Sequence, residues 1–153
     1  MCFWKSKQSK VLRAKKDIVV YKIGDFADKD TFVPYYINSF TYKTNVPCRI
    51  CPDFKSNAIT IGFHGYINIL VTVNNPSGLN AIVRKNDKYR SVITIYGTFQ
   101  YTLYLGRFII PKGSIYCVNE SNEIVSNRII YTGQYSNVWR LFDTNLKELW
   151  KEK

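Results

Sequence analysis

The chain has 153 residues, a net charge of +11, 46% hydrophobic residues and 16% aromatic residues. This length suits one domain, and the apolar fraction excludes a disordered protein because it can bury enough surface to offset the chain entropy lost on folding. No apolar run approaches the ~20 residues of a membrane-spanning helix.

Positive charge is concentrated near the start of the chain. Seven Lys or Arg residues lie between positions 1 and 22 against a single acidic residue, Asp17, which gives a net charge of +6. We predict a basic arm at residues 1–16, followed by a single β-rich domain at residues 17–153. Such an arm attracts a polyanion, namely nucleic acid, an anionic membrane surface or an acidic protein, or it merely keeps the protein soluble. The candidate contact residues are Lys5, Lys7, Lys10, Arg13, Lys15 and Lys16.

Many of the hydrophobic residues of the chain are Ile, Val, Tyr and Phe, and these β-branched and aromatic types favour strands. Residues 24–30 are polar and predict a loop, and residues 31–40 are aromatic and irregular. A second loop is predicted at residues 47–57, because prolines at both 47 and 52 disrupt regular pairing. The predicted strands cover residues 18–23, 58–63, 66–73 and 79–84.

Residues 91–105 show the clearest periodicity in the chain. Apolar side chains fall on odd positions and polar ones on even positions, which is typical of an antiparallel strand with one buried face. The segment is longer than most strands, so we expect a bulge or turn near Gly97. Tyr96 and Tyr104 lie on the polar face, where they form either a ligand-binding platform or ordinary exposed strand positions. The residues predicted to be buried are Ile93, Ile95, Phe99, Leu103 and Leu105.

The last part of the chain predicts two more strands, at residues 114–118 and 123–131. Residues 136–150 fit either a helix capped by Ser136 or a short hairpin, and the apolar spacing favours the helix. Together these elements predict a mostly β fold with a single antiparallel sheet domain and one or two short helices.

The pair Cys48 and Cys51 has the C-x-x-C spacing of zinc ligands, but a tetrahedral site needs four. His64, Cys117 and Cys2 are the remaining candidates, and none has a standard ligand spacing. We therefore expect neither metal nor cofactor. Residues 1–4 are apolar and precede the nearby lysines, which reverses the order of a secretory signal. A cytoplasmic protein with free thiols is expected.

His64 is the only histidine, and Gly62 and Gly65 flank it. It is a candidate ligand-binding residue, or it is hydrogen-bonded within the fold as a structural residue. No complete catalytic motif accompanies it.

Several short motifs are scattered over residues 18–131 of the chain. The chain carries F-x-Y-K at residues 40–43, G-F-H at residues 62–64, I-P-K-G at residues 110–113 and V-S-x-x-I-I at residues 125–130. It resembles a loose group of small phage and prophage proteins, whose members have no known activity. The resemblance implies a phage origin, and hence a location in the cytoplasm of a bacterial host or in the virion.

Two hypotheses about function remain. The first is a non-catalytic binding or structural accessory protein of phage origin that contacts nucleic acid or an acidic protein through the basic arm. The second is an enzyme or nucleotide-binding protein with a pocket centred on His64. Acid–base chemistry requires a placed proton donor and acceptor, so the scarcity of carboxylates favours the first hypothesis.

Overall fold

The computed structural model describes residues 3–34, 40–67, 82–85, 90–94, 97–100 and 104–137. These ranges contain fifteen strands. The strands are β1 (Phe3–Trp4), β2 (Val11–Arg13), β3 (Ile18–Asp28), β4 (Thr31–Pro34), β5 (Tyr42–Lys43), β6 (Pro47–Arg49), β7 (Ala58–Ile59), β8 (Phe63–Tyr66), β9 (Ile82–Lys85), β10 (Arg90–Thr94), β11 (Gly97–Gln100), β12 (Tyr104–Ile110), β13 (Ile115–Val118), β14 (Glu123–Ser126) and β15 (Arg128–Asn137).

Ten of the strands form one main sheet in which neighbours run antiparallel. Eight follow the order β2-β13-β14-β8-β3-β12-β15-β6, and β4 pairs with both β3 and β5. The strands β1 and β7 form a separate pair, and β11, β10 and β9 form a three-stranded sheet. The prediction of a mostly β, antiparallel domain is therefore confirmed.

No helix occurs in the described ranges. The predicted helix at residues 136–150 lies outside them, apart from Ser136 and Asn137, which belong to β15. Ser136 pairs there with Leu105 of β12 and continues the strand at the position predicted for a helix cap.

Five strands of the main sheet close into a ring. The pairings β3–β12 and β12–β15 form one side, and the pairings β3–β4 and β4–β5 form the other. A parallel bridge between Thr44 and Tyr131 then joins the end of β5 to β15. The main core collects buried side chains from all five strands and from β8 and β14. Its members are Val20, Phe32, Tyr42, Phe63, Phe108, Ile110, Ile124, Ile129 and Tyr131.

The strand β3 is longer than predicted, and the expected loop at residues 24–30 is wrong. The strand runs to Asp28, whose carboxylate accepts hydrogen bonds from Asp30 N at 2.9 Å and Thr31 Oγ1 at 3.2 Å. These bonds hold the tight turn into β4. Phe32 of β4 then lies so close to Gly24 that an added methyl group would come within 2.7 Å of its ring. The polar composition of residues 24–30 did not indicate that the Phe32 ring packs directly on Gly24.

A second core forms on the opposite face of the main sheet. It contains Phe3, Ile59, Cys117 and Val125, all fully or almost fully buried. The strand β1 places Phe3 there by pairing with β7, and β2 pairs with β13. The expectation that strand pairing begins near Ile18 is therefore wrong, because pairing begins at Phe3. Phe3 belongs to the apolar cluster at residues 1–4, but its pairing partner Ile59 is distant in sequence, so no local pattern indicated the pairing.

The periodic segment at residues 91–105 is interrupted by a chain reversal, as expected near Gly97. The strands β10 and β11 pair antiparallel, with Thr94 opposite Gly97 and Val92 opposite Phe99. Directly paired residues share a face, so the odd positions do not form one continuous face across this reversal. Leu105 is buried as predicted. The side chains of Ile93 and Phe99 and the whole of Ile95 and Leu103 lie outside the described part of the chain.

The strand predicted at residues 123–131 is divided at Asn127 into β14 and β15. Asn127 N donates to Ile115 O at 3.1 Å, and its side-chain Oδ1 accepts from Ile115 N at 2.9 Å. Asn127 O accepts a hydrogen bond from Ile50 N at 2.9 Å. Ile50 directly follows β6, a strand that lies within the loop predicted at residues 47–57. An asparagine side chain can replace backbone partners in this way, and so it marks the point where the chain changes neighbours.

Candidate functional site

Strand pairing holds part of the basic segment, defined as residues 5–16, against the main sheet, from Val11 to Arg13. Ala14 is buried, with its N–H donating to Ser114 O at 2.8 Å and its C=O accepting from Gly113 N at 2.8 Å. Just beyond the segment, the Asp17 carboxylate accepts a hydrogen bond from Lys112 N at 2.8 Å. The residues that follow β2, from Ala14 to Asp17, are therefore fixed to the turn before β13.

The cationic side chains of this segment reach the surface. Arg13 is exposed and donates from Nη1 to Gly113 O at 3.0 Å. Lys5 is half-buried and donates from Nζ to Phe54 O. The other four are exposed, and the segment contains no acidic residue. They are Lys7, Lys10, Lys15 and Lys16. Five of the six predicted polyanion-binding residues are thus exposed, and the backbone from Val11 to Ala14 is hydrogen-bonded to the main sheet.

His64 lies in β8 and is buried, with 6% of its surface exposed. Its Nε2 lies 3.0 Å from Thr60 O, and because a carbonyl only accepts, the ring proton resides on Nε2. Nδ1 is then a bare acceptor, and it is buried without a hydrogen-bond partner among the described residues. Burial lowers the pKa of His64 to about 4, so the imidazole is neutral at physiological pH.

A second buried ionisable group, Lys22, was missed by the sequence reasoning. Only 7% of its surface is exposed, and its Nζ donates to the backbone O of His64. The ammonium position lies 5.3 Å from the ring centroid of Tyr42 and 5.8 Å from that of Phe108. Burial lowers its pKa from 10.5 to about 7. Its burial could have been predicted from the alternation of side chains along a strand, because Lys22 lies two residues after Val20 and therefore on the same inward face.

The side chains of Lys22 and His64 lie on different faces of the sheet, although Lys22 contacts the His64 carbonyl. His64 pairs directly with Val125, a member of the second core, whereas Lys22 contacts aromatic rings of the main core.

The Oη of Tyr42 is also buried and has no hydrogen-bond partner in the described ranges. Burial strongly raises the pKa of Tyr42. The main core therefore holds an amine and a phenol hydroxyl in an aromatic setting.

Tyr104 packs among other rings. It is half-buried, and its ring contacts Phe26 and Tyr135 edge-on, at centroid distances of 5.1 and 5.6 Å. Tyr96 lies outside the described residues, so the platform formed by these two tyrosines stays a prediction.

Cys48 and Cys51 have free thiols, with Cys48 half-buried and Cys51 exposed. Burial raises the pKa of the Cys48 thiol, which favours the thiol over the thiolate that binds metals. Within the described ranges, no three His, Cys, Asp or Glu side chains lie together as possible metal ligands.

The chain matches no protein-family model, no curated protein and no solved structure. Its described residues include no helix with the length and hydropathy needed to cross a membrane.

Proposed function

We propose that the protein is a non-catalytic binding module that contacts an acidic partner through the basic segment at residues 5–16. One observation carries the proposal: six cations and no acidic residue occur in a twelve-residue stretch, of which Val11–Ala14 are hydrogen-bonded to the main sheet. A fixed array of like charges concentrates a polyanion near the surface and steers its approach. The motifs that resemble phage proteins support an accessory role in a phage.

Salt dependence tests this function. Each phosphate contact with duplex DNA contributes roughly −0.9 to the slope of log K against log salt, so binding through about four lysines falls at least tenfold between ~50 and ~200 mM salt. The triple variant Lys10→Gln/Lys15→Gln/Lys16→Gln should weaken binding to duplex DNA and to poly-glutamate. The matched control is Lys29→Gln/Lys43→Gln/Arg49→Gln, which removes the same charge from exposed residues elsewhere.

Equal loss of binding in both triple variants would show that net charge, and not the basic segment, attracts the partner. Binding that does not respond to salt would contradict the electrostatic mechanism itself.

A second candidate function is the binding of a nucleotide at His64, and it rests on the unpartnered, buried Nδ1. A bare acceptor in an interior costs free energy unless a donor reaches it. Titration of the protein with ATP, observed through the His64 ring resonances, tests this candidate. Resonances that do not move at millimolar ATP would eliminate a nucleotide as the ligand.

A further inference from the structure

The strand β2 ends the main sheet, and its outer edge has no strand partner among the described residues. In an antiparallel pair, alternate residues direct their N–H and C=O groups toward the partner strand and away from it. Ala14 directs both groups toward the β13 side. By this alternation Leu12 does the same, and Val11 and Arg13 direct theirs outward. The outer edge therefore offers donors and acceptors at two positions.

The side chains of this edge combine apolar and cationic character. Val11 is 45% exposed and Leu12 is 48% exposed, and the exposed cations Lys10 and Arg13 flank them. When an extended peptide joins a sheet edge, backbone hydrogen bonds supply affinity and alternate side chains supply specificity. β2 presents both kinds of contact.

We propose that β2 docks an extended, acidic segment of a partner protein, which joins the main sheet as an additional strand. The proposal rests on the polyanion-binding function above and names the class of partner. Carboxylates placed beside Lys10 and Arg13 make favourable cross-strand pairs, and apolar residues between them cover Val11 and Leu12.

Charge disfavours a second copy of the chain as the occupant. Pairing β2 with another β2 would bring the cations of the two segments together, and like charges on paired strands are destabilising. Lysines on an edge strand commonly prevent self-association in this way. The same cations attract a partner strand that carries negative charge. Nucleic acid would use the lysines, but its phosphates would leave the exposed Val11 and Leu12 uncovered.

The edge is held in an extended conformation before a partner arrives. β2 pairs with β13 from Val11 to Arg13, and Phe3 anchors the start of the chain in the second core. A preformed edge lowers the ordering cost of association, because only the incoming peptide has to become ordered.

The experiment uses the full chain and the peptide Glu-Glu-Val-Val-Glu-Glu, which can place carboxylates opposite Lys10 and Arg13 and valines opposite Val11 and Leu12. Its comparators are the same peptide methylated at every backbone nitrogen, which keeps the charge but removes the donors, and a short DNA duplex. Affinity is measured by calorimetry, and amide hydrogen exchange is followed by NMR. We expect the methylated peptide to bind at least about tenfold more weakly, and the amides of Val11 and Arg13 to gain protection while that of Leu12 does not change.

A matched pair of variants tests the same edge from the side of the protein. Val11→Pro removes an N–H that faces away from β13, a position at which an edge strand tolerates proline. Val11→Thr keeps the N–H and a β-branched side chain. Val11→Pro should bind the peptide about tenfold more weakly than Val11→Thr, with both retaining the salt dependence of binding. Thermal unfolding of both variants verifies that they are folded, and the methylated peptide gives an independent answer if Val11→Pro is not.

The outcomes separate this inference from the proposed function. If both peptides bind equally, if the unmethylated peptide binds without protecting the amides of Val11 and Arg13, or if DNA binds and the peptides do not, charge attraction is the whole interaction. Strand addition is then overturned while the polyanion-binding function stands. If neither the peptides nor DNA binds, both proposals fail.

Discussion

Replacing the buried Lys22 with Met should stabilise the protein at neutral pH and remove part of the pH dependence of its stability. Met keeps the apolar stem and lacks the amine. Because the pKa of Lys22 falls from 10.5 to about 7 on folding, the unfolded chain binds more protons between these two pH values. The contribution of Lys22 to the free energy of unfolding therefore rises with pH across this window and is constant below it.

The magnitude follows from the two pKa values. Each tenfold change in proton affinity corresponds to about 1.4 kcal/mol, so the buried amine costs roughly 4 kcal/mol at pH 7 and roughly 2 kcal/mol at pH 9. Loss of the hydrogen bond to the His64 carbonyl offsets about 1–3 kcal/mol of the gain. The Lys22→Met variant should thus be more stable by about 1–3 kcal/mol at pH 7, and this difference should fall by about 2 kcal/mol at pH 9.

Urea unfolding of the wild type and of Lys22→Met, at several pH values from about 6 to 9, measures this difference. Lys29→Met is the matched control, since Lys29 is exposed and its replacement should leave the pH dependence unchanged. Cysteines and tyrosines with raised pKa values also titrate at high pH, but they are common to all three proteins and cancel in the comparison. Parallel stability curves for the wild type and Lys22→Met would refute the argument that burial suppresses ionisation of Lys22.

Other predictions follow from the two cores and the candidate site. Phe3→Ala should cost about 3–5 kcal/mol, because Phe3 is fully buried in the second core; thermal unfolding measures this, and an unchanged midpoint would show that Phe3 is dispensable. Gly106→Ala should destabilise by about 1–3 kcal/mol, since the added methyl would lie 2.9 Å from the Phe32 ring; a neutral effect in urea unfolding would mean that this ring moves aside freely. NMR titration of His64 should give a pKa near 4, and its contribution to stability should rise with pH from about 4 to 6.5; a midpoint near 6.5 would indicate an exposed ring. Elemental analysis should find no stoichiometric zinc, and one zinc per chain that disappears in a Cys48→Ser variant would contradict the ligand count.

The fold class could be predicted from the sequence because β-branched and aromatic residues recur with a period of two. The extent of individual strands was less predictable, since it depends on contacts between distant residues. β3 passes through polar positions because Asp28 stabilises the turn and Gly24 accommodates Phe32. Asn127 ends β14 through bonds to Ile115, which lies twelve residues earlier. Neither the contact of Phe32 with Gly24 nor that of Asn127 with Ile115 has a local pattern.

The candidate site was predicted in part. The basic residues and His64 stand out by charge and rarity, and the structure places most of those cations on the surface and the histidine in the interior. Lys22 was grouped with the other lysines because composition does not distinguish an exposed lysine from a buried one. Only the shared parity with Val20 indicates its burial.

The pairing of β2 with β13 also bears on the order in which the chain can fold. Arg13 bonds to Gly113 across a separation of 100 residues, and Trp4 O accepts from Asn119 across 115. At a synthesis rate of roughly 5–20 residues per second, the basic segment is synthesised about 5–20 seconds before its partner strand. Contacts this distant in sequence also slow folding of the complete chain, because closing a long loop must precede the gain from pairing. Through that interval the segment's lysines repel other copies of the unfinished chain. The hydrophobic side chain of Phe3 stays exposed until the second core forms, and a chaperone can bind it.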